Sequence, residues 1–141
     1  MFRGGAILLT ALALAGCGTT SSATDFEGDQ RAVADAVENL QVAAEGSDEG
    51  AICQTLLAQV LIDRLESGGG DCRKEISSAL DDTDAVGLEV QKVTITGTTA
   101  TATVEAREGE DDVLRELKLV RERDDWRISE LGTPSPAPKR D

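Results

Sequence analysis

The feature that most constrains the fold is a change in hydrophobic spacing near Ala85. Before Ala85, apolar residues recur every three or four positions, which is typical of amphipathic helices. After it, apolar and polar residues alternate, which is typical of half-buried strands. Helices followed by a meander of antiparallel strands predict an α+β domain, with N-terminal helices packed on one face of a sheet of about four strands.

The first predicted helix has one apolar stripe over residues 33–44. Asp25 or Asp29 is expected to cap its start, because a carboxylate there accepts hydrogen bonds from free N–H groups. Gly46 is expected to end the helix in a left-handed conformation, which glycine adopts without steric cost.

A second helix is predicted to begin at Ser47 or Asp48 and to continue without a break through residues 57–59. The glycine run at 68–70 ends it and allows a sharp reversal, and Asp71 caps a short third helix. The apolar faces of these two helices comprise Ile52, Cys53, Leu56, Leu57, Val60, Leu61, Leu65, Cys72, Ile76, Ala79 and Leu80.

Four strands are predicted at residues 86–95, 99–106, 113–121 and 126–130, with turns at 97–98, 108–112 and 124–125. The apolar parity changes within the first strand, and a bulge near residues 91–92 would reconcile its two halves. Leu117 and Leu119 are expected to face the helices. Residues 132–141 contain all three prolines and are predicted to form a disordered tail, so the single folded domain is expected at 25–131.

Residues 1–16 are typical of an export signal. Arg3 precedes an uncharged run at 7–15 that ends in small residues, and the run is shorter than the roughly 20 residues of a membrane-spanning helix. Residues 14–17, Leu-Ala-Gly-Cys, resemble the lipobox of bacterial lipoproteins. The resemblance implies cleavage between Gly16 and Cys17 and a diacylglycerol thioether on Cys17. Residues 17–24 would then tether an extracytoplasmic domain to the cell membrane; the alternative is a free cysteine ending a non-lipidated signal.

If Cys17 carries the lipid, the two remaining cysteines of the chain are Cys53 and Cys72. An even pair in an oxidising compartment predicts a disulfide, and closing a loop of about 20 residues contributes roughly 3 kcal/mol in the chain-entropy model. The alternatives are two buried thiols or a redox-active pair. The redox alternative is disfavoured because the sequence has no Cys-x-x-Cys spacing.

Beyond the signal, the order of elements over residues 29–131 resembles the cone-shaped α+β superfamily of nuclear transport factor 2 and the ketosteroid isomerases. The closing segment 119–128, Leu-Val-Arg-Glu-Arg-Asp-Asp-Trp-Arg-Ile, is similar to the strand–turn–Trp–basic–Ile ending common in that superfamily. The resemblance implies a curved sheet around a cavity. The positions expected to line it, or simply to fill it, are Leu56, Val60, Leu88, Ala102, Leu117 and Trp126; for Trp126 a core position is the preferred interpretation.

Charge and missing residue types narrow the function. With 27 acidic and 14 basic residues the net charge is −13, which disfavours nucleic acid as a partner. The chain has no His and no Tyr, so Ser–His or Cys–His nucleophiles and His-ligated metals are excluded. Acidic clusters in the segments 81–84, 108–112 and 122–125 could gather calcium, but none has EF-hand spacing, and solvated turns are the preferred interpretation. No cofactor is expected.

The leading hypothesis is therefore a non-catalytic lipoprotein that binds a small apolar ligand or an envelope protein partner. A second hypothesis is an isomerase- or hydratase-type enzyme that uses buried carboxylates. A third is a structural or accessory protein of the cell envelope, which predicts an apolar surface patch in place of a pocket.

Overall fold

The structure is a computed structural model that describes residues 22–82, 87–108 and 110–134. Within these ranges a helical layer covers one face of a four-stranded antiparallel sheet of order β1-β2-β3-β4, which confirms the predicted α+β class. The helical elements are a 3₁₀ turn at Ser22–Asp25, α1 at Gly28–Glu45, α2 at Glu49–Ala51, a π-helical turn at Ile52–Leu56, α3 at Gln59–Glu66 and α4 at Cys72–Asp81. The strands are β1 at Gly87–Thr96, β2 at Thr99–Glu108, β3 at Asp111–Glu122 and β4 at Asp125–Pro134.

The alternation of side chains in the strands sets the buried face of the sheet. Ala100 of β2 lies opposite Ile95 of β1 and Leu119 of β3, and Leu119 lies opposite Ile128 of β4. This row crosses the whole sheet on the side of the helices, and Leu119 and Ile128 are almost fully buried. The predicted bulge in β1 is confirmed by a register shift between Val90 and Lys92.

The β3–β4 turn lies one residue earlier than predicted. Arg123 and Asp124 both have positive φ, at 50° and 70°, which is the conformation of the tight turns that match strand twist. Strand β4 consequently begins at Asp125, and it continues to Pro134. Residues 132–134, predicted as part of the tail, therefore belong to the sheet, while 135–141 lie outside the described residues.

The folded part of the chain also begins earlier than predicted. The 3₁₀ turn Ser22–Asp25 falls partly within the expected tether, and Ala23 is buried with its N–H donating to Glu38 Oε1 at 2.7 Å. Glu27 holds the N-cap position of α1 without a side-chain hydrogen bond, so the prediction of a cap by Asp25 or Asp29 was wrong. Asp29 lies instead in the first turn, where its charge is favourable to the helix dipole.

Helix α1 ends in a Schellman motif built around Ser47. The N–H of Asp48 donates to the carbonyl of Ala43 at 2.8 Å, and that of Ser47 to the carbonyl of Ala44 at 3.1 Å. The left-handed residue is Ser47, with φ of 51°, whereas Gly46 is right-handed at −82°. The prediction that Gly46 supplies the left-handed stop was therefore wrong by one residue.

The predicted second helix is broken at Leu57 and Ala58. Both residues are fully buried and extended, and Leu57 forms a parallel bridge with Ile128 of β4. The N–H of Ala58 donates to the carbonyl of Ile128 at 2.8 Å, so this donor is used by the sheet and not by a helix. An N–H that starts α3, that of Gln59, donates to the Glu122 carboxylate at 2.8 Å. The prediction of an unbroken helix was wrong because a tertiary contact outweighs local periodicity here.

The predicted cap by Asp71 is confirmed, and Asp48, one of the two predicted starts of the second helix, is the N-cap of α2. Asp48 accepts from the N–H of Ala51 at 2.9 Å, and Asp71 accepts from the N–H of Arg73 at 3.0 Å. The reversal between α3 and α4 uses the glycine run, with Gly69 at φ of 83°. On the inner face of α4, Cys72 and Ile76 are buried as predicted.

Candidate functional site

A disulfide joins the two elements that frame the candidate site. Cys53 in the π-helical turn is bonded to Cys72 in the first turn of α4, with a Cα–Cα distance of 6.2 Å. The predicted pairing is confirmed. The bond fixes α4 against the helical layer, and α4 in turn forms one wall of the cavity described next.

The cavity lies between α1, α4 and the helix-facing side of the sheet, and has a volume of about 290 Å³. Its innermost lining includes Ile52, Leu57 and Val104, each at most 1% exposed. The described residues that line it are Leu40, Gln41, Ala44, Ile52, Leu57, Ile76, Ala79, Leu80, Leu88, Val104, Arg115, Leu117, Leu131 and Gly132.

Two polar side chains interrupt this apolar lining. Gln41 links α1 to the sheet, because its Oε1 accepts from the N–H of Leu88 at 3.0 Å. Its Nε2 donates to Glu45 of the same helix at 3.0 Å. Arg115 is the charged residue of the described lining. It lies directly opposite Val104 in the β2–β3 register, and hence on the helix-facing side of β3.

The half-buried Arg115 side chain is held by the end of strand β4. One of its Nη atoms donates to the carbonyl of Gly132 at 3.3 Å. Gly132 has φ of 27°, and a Cβ placed there would meet Arg115 Cβ at 3.3 Å and Cδ at 3.4 Å. Glycine at this position therefore lets β4 approach the aliphatic stem of the arginine. Arg115 was not predicted as a lining residue, although it has the same parity as Leu117 in the strand, which was a usable signal.

The six residues predicted to line the cavity are not brought together. Leu88 and Leu117 do line it, whereas Leu56 and Trp126 line a separate open groove. Ala102 is fully buried in the core and lines neither space. Val60 is 50% exposed, because α3 restarts at Gln59 after the break and turns this residue outward. Ala79 was predicted to lie on the inner face of α4. It is exposed, and it lines the cavity.

Trp126 is a core residue, which confirms the preferred interpretation of its sequence position. It is 7% exposed and belongs to the main hydrophobic cluster. The guanidinium carbon of Arg121 lies 6.0 Å from its ring centroid, at the outer limit of a cation–π contact. Trp126 thus contributes one edge to the groove and most of its surface to packing.

The open groove lies against another side of α1, with a volume of about 740 Å³. Four aspartates line it, Asp35, Asp48, Asp124 and Asp125, and its described lining includes no basic residue. In the part of the chain that the structure describes, no three His, Cys, Asp or Glu side chains gather closely enough to hold a metal ion. Asp84 and the Glu108 side chain, both in predicted acidic clusters, lie outside that part.

None of the carboxylates that the structure describes is the buried base that the enzyme hypothesis requires. Among the described residues the one buried polar or charged side chain is Ser129, at 8% exposure. Every described Asp and Glu is exposed or half-buried, and none of them lines the cavity.

The predicted lipidation site cannot be placed in the fold, because Gly16 and Cys17 lie outside the described residues. Among the described helices, none is both long enough and apolar enough to cross a bilayer. The large apolar residues exposed in the described part are Val42 in the groove, Leu131 at the cavity and Val60 in neither.

The chain is similar to a solved structure of a designed protein. No protein-family model and no curated protein matches the sequence. Among solved structures the chain is similar to a protein titled "De novo designed NTF2 fold protein NT-9", with 14% identity and a TM-score of 0.42, over 72% of this chain and 82% of that one. At this TM-score the likeness carries no argument, and the α+β class rests on the chain's own elements and strand order.

Proposed function

We propose that this protein is a non-catalytic, lipid-anchored extracytoplasmic module that binds a small apolar ligand in the cavity between α1, α4 and the sheet. The observation that carries the proposal is the cavity of about 290 Å³ with its aliphatic lining. Ligand pockets in proteins typically start at about 300 Å³ and are lined mainly by apolar side chains with a few polar groups. The ligand is accordingly small.

The packing around the cavity supports a preformed binding site. Its inner wall consists of Ile52, Leu57 and Val104, which belong to the hydrophobic core. The Cys53–Cys72 disulfide holds α4 close to that wall. A site built on fixed elements binds without a large ordering cost.

The chemistry of the lining supports binding over catalysis. The described lining offers an arginine and a glutamine but no carboxylate, hydroxyl or thiol that could act as base or nucleophile. Since the whole sequence lacks His and Tyr, the usual general bases and oxyanion donors are few.

Ligand binding is tested with the neutral fluorescent probe N-phenyl-1-naphthylamine. Ala79→Phe places a ring at an exposed lining position of α4, and the matched Ser78→Phe places one at the neighbouring exposed position outside the lining. We expect wild type and Ser78→Phe to bind the probe alike and Ala79→Phe to bind it at least about tenfold more weakly, the cost of losing roughly 1.4 kcal/mol of contact. Absence of binding, or equal binding by all three proteins, would contradict the proposal.

The anchor is supported by the export-like residues 1–16 and by the lipobox-like residues 14–17. Intact mass spectrometry of protein from bacterial membranes should show a chain that begins at a diacylglyceryl-modified Cys17. Cys17→Ala should leave the membrane fraction, because stable attachment requires more than one acyl chain or an equivalent second signal. An unmodified N-terminus ahead of Cys17, or a membrane-bound Cys17→Ala variant, would refute the anchor.

A further inference from the structure

We infer that the ligand of the cavity is an uncharged single-chain aliphatic molecule with a hydroxyl head, which binds with its head at Gln41 and its alkyl tail against Ile52 and Leu57. The inference rests on the proposed function, because it specifies which class of molecule the same cavity takes. It follows from the hydrogen bonds that the polar lining residues already form, from the burial of the lining and from the cavity volume.

The surroundings of the cavity favour a ligand without charge. Arg115 donates to the carbonyl of Gly132 at 3.3 Å and has a further interaction within the protein, so its guanidinium needs no ligand as a partner. An anionic head would lose hydration beside apolar walls, and the net charge of −13 disfavours it further. A cationic head would lose hydration in the same way, and none of the described carboxylates lines the cavity to compensate it.

Gln41 retains hydrogen-bonding capacity that matches a hydroxyl group. A glutamine amide has two N–H donors and a carbonyl oxygen with two acceptor positions. Gln41 uses one acceptor position for the N–H of Leu88 and one donor for Glu45, each at 3.0 Å. One N–H and one acceptor position remain. A hydroxyl group both donates and accepts a hydrogen bond, so it is complementary to this remaining pair.

The burial of the lining sets the direction of the ligand. Ile52 and Leu57 are at most 1% exposed, whereas Gln41 is half-buried. The apolar side chains of the described lining are all aliphatic, so an alkyl chain is the tail that they suit best. A ligand with its hydroxyl at Gln41 and its tail at the buried wall keeps hydrogen bonds for the polar end and removes the apolar end from water.

The volume sets the size of the ligand. At roughly 30 Å³ for a water-sized group, 290 Å³ accommodates about ten such groups. Octan-1-ol has a size of this order, which makes it a suitable probe. Octanoate and octylammonium are octyl compounds with charged heads. Heptyl methyl ether has as many non-hydrogen atoms as octan-1-ol but cannot donate a hydrogen bond.

The test measures binding of these four compounds by calorimetry to the wild type and to two variants. Gln41→Met removes the amide and keeps an unbranched side chain. Gln30→Met is the matched control, because Gln30 also links α1 to β1, its Nε2 donating to the carbonyl of Val93 at 3.3 Å, but lies outside the described lining. We expect wild type and Gln30→Met to bind octan-1-ol at least about tenfold more tightly than either ion and about fivefold more tightly than the ether. In Gln41→Met the preference over the ether should disappear, while the preference over the ions should persist.

The outcomes separate this inference from the proposed function. Wild type that binds either ion as tightly as octan-1-ol overturns the inference and leaves a binding site of another class. A preference for the alcohol over the ether that is absent from the wild type, or that survives Gln41→Met, also overturns it. Binding of N-phenyl-1-naphthylamine without octan-1-ol has the same consequence. If no probe of either kind binds, the proposed function itself fails. Should Gln41→Met not fold, the comparison of the four compounds in the wild type still decides.

Discussion

The two depressions beside α1 differ in charge and in the origin of that charge. The groove on one side is lined by four aspartates, with no basic residue in its described lining, whereas the cavity on the other side is apolar and carries Arg115. Local structure explains part of the groove's acidity. Asp48 caps α2, Asp124 adopts a left-handed conformation in the β3–β4 turn, and aspartate is favoured in both roles.

The cavity has a different origin, because its inner wall belongs to the hydrophobic core, and Arg115 lies within a strand opposite a buried valine. Turns and caps account for acidic residues on any surface, whereas an apolar cavity with a few polar groups is typical of small-molecule sites. The comparison therefore directs functional interpretation to the cavity. If the groove and the cavity are independent, a substitution in one should leave the properties of the other unchanged.

The largest effect is expected from Leu57→Ala, which should lower the free energy of unfolding by about 2–5 kcal/mol. Leu57 is fully buried, lines the cavity and forms the bridge to Ile128. Val60→Ala, three residues further on and 50% exposed, should cost less than about 1 kcal/mol. Urea unfolding measures both. Equal losses would mean that the segment after the π-helical turn is not packed as the structure shows.

The region around Leu57 also shows which features of the fold could not be predicted from the sequence. The strands, the β1 bulge, the glycine reversal and the disulfide were predicted, because alternation, turn residues and cysteine count are local signals. The break at Leu57 and Ala58 depends on hydrogen bonding to Ile128, about 70 residues away, and no local pattern announces it. The same break moved Val60 outward, so the predicted cavity lining was only partly right.

The next largest effect concerns the disulfide. Replacing Cys53 and Cys72 together by alanine should cost about 3 kcal/mol in the chain-entropy model. Because α4 lines the cavity and contributes nothing to the described lining of the groove, amide exchange should accelerate most in α4. Reduction of the wild type, which leaves both side chains in place, is the matched control and should reproduce most of the loss. Uniform acceleration across the sheet would contradict a local role for the bond.

A smaller effect of opposite sign is expected at the groove. Ser47→Gly should raise the free energy of unfolding by about 1 kcal/mol, because a left-handed conformation is strained for serine and not for glycine. Gly46→Ala, at a right-handed position with ordinary carbonyl contacts, should change stability by less than about 0.5 kcal/mol. Thermal unfolding of the two variants measures the difference. A loss from Gly46→Ala without a gain from Ser47→Gly would place the left-handed residue at Gly46.

The smallest effect is expected from Asp35→Asn, which removes one of the groove's charges from an exposed position of α1. Exposed charges are screened beyond about 8 Å at physiological salt, so the affinity of the cavity for N-phenyl-1-naphthylamine should change by less than about twofold. Ala79→Phe, by contrast, should weaken binding of the same probe at least about tenfold. Fluorescence titration of both variants in low and physiological salt compares the two effects. If Asp35→Asn changed probe binding severalfold at physiological salt, the charge of the groove would be affecting the cavity. The separation between an acidic groove made by caps and turns and an apolar cavity with its own cation would then fail.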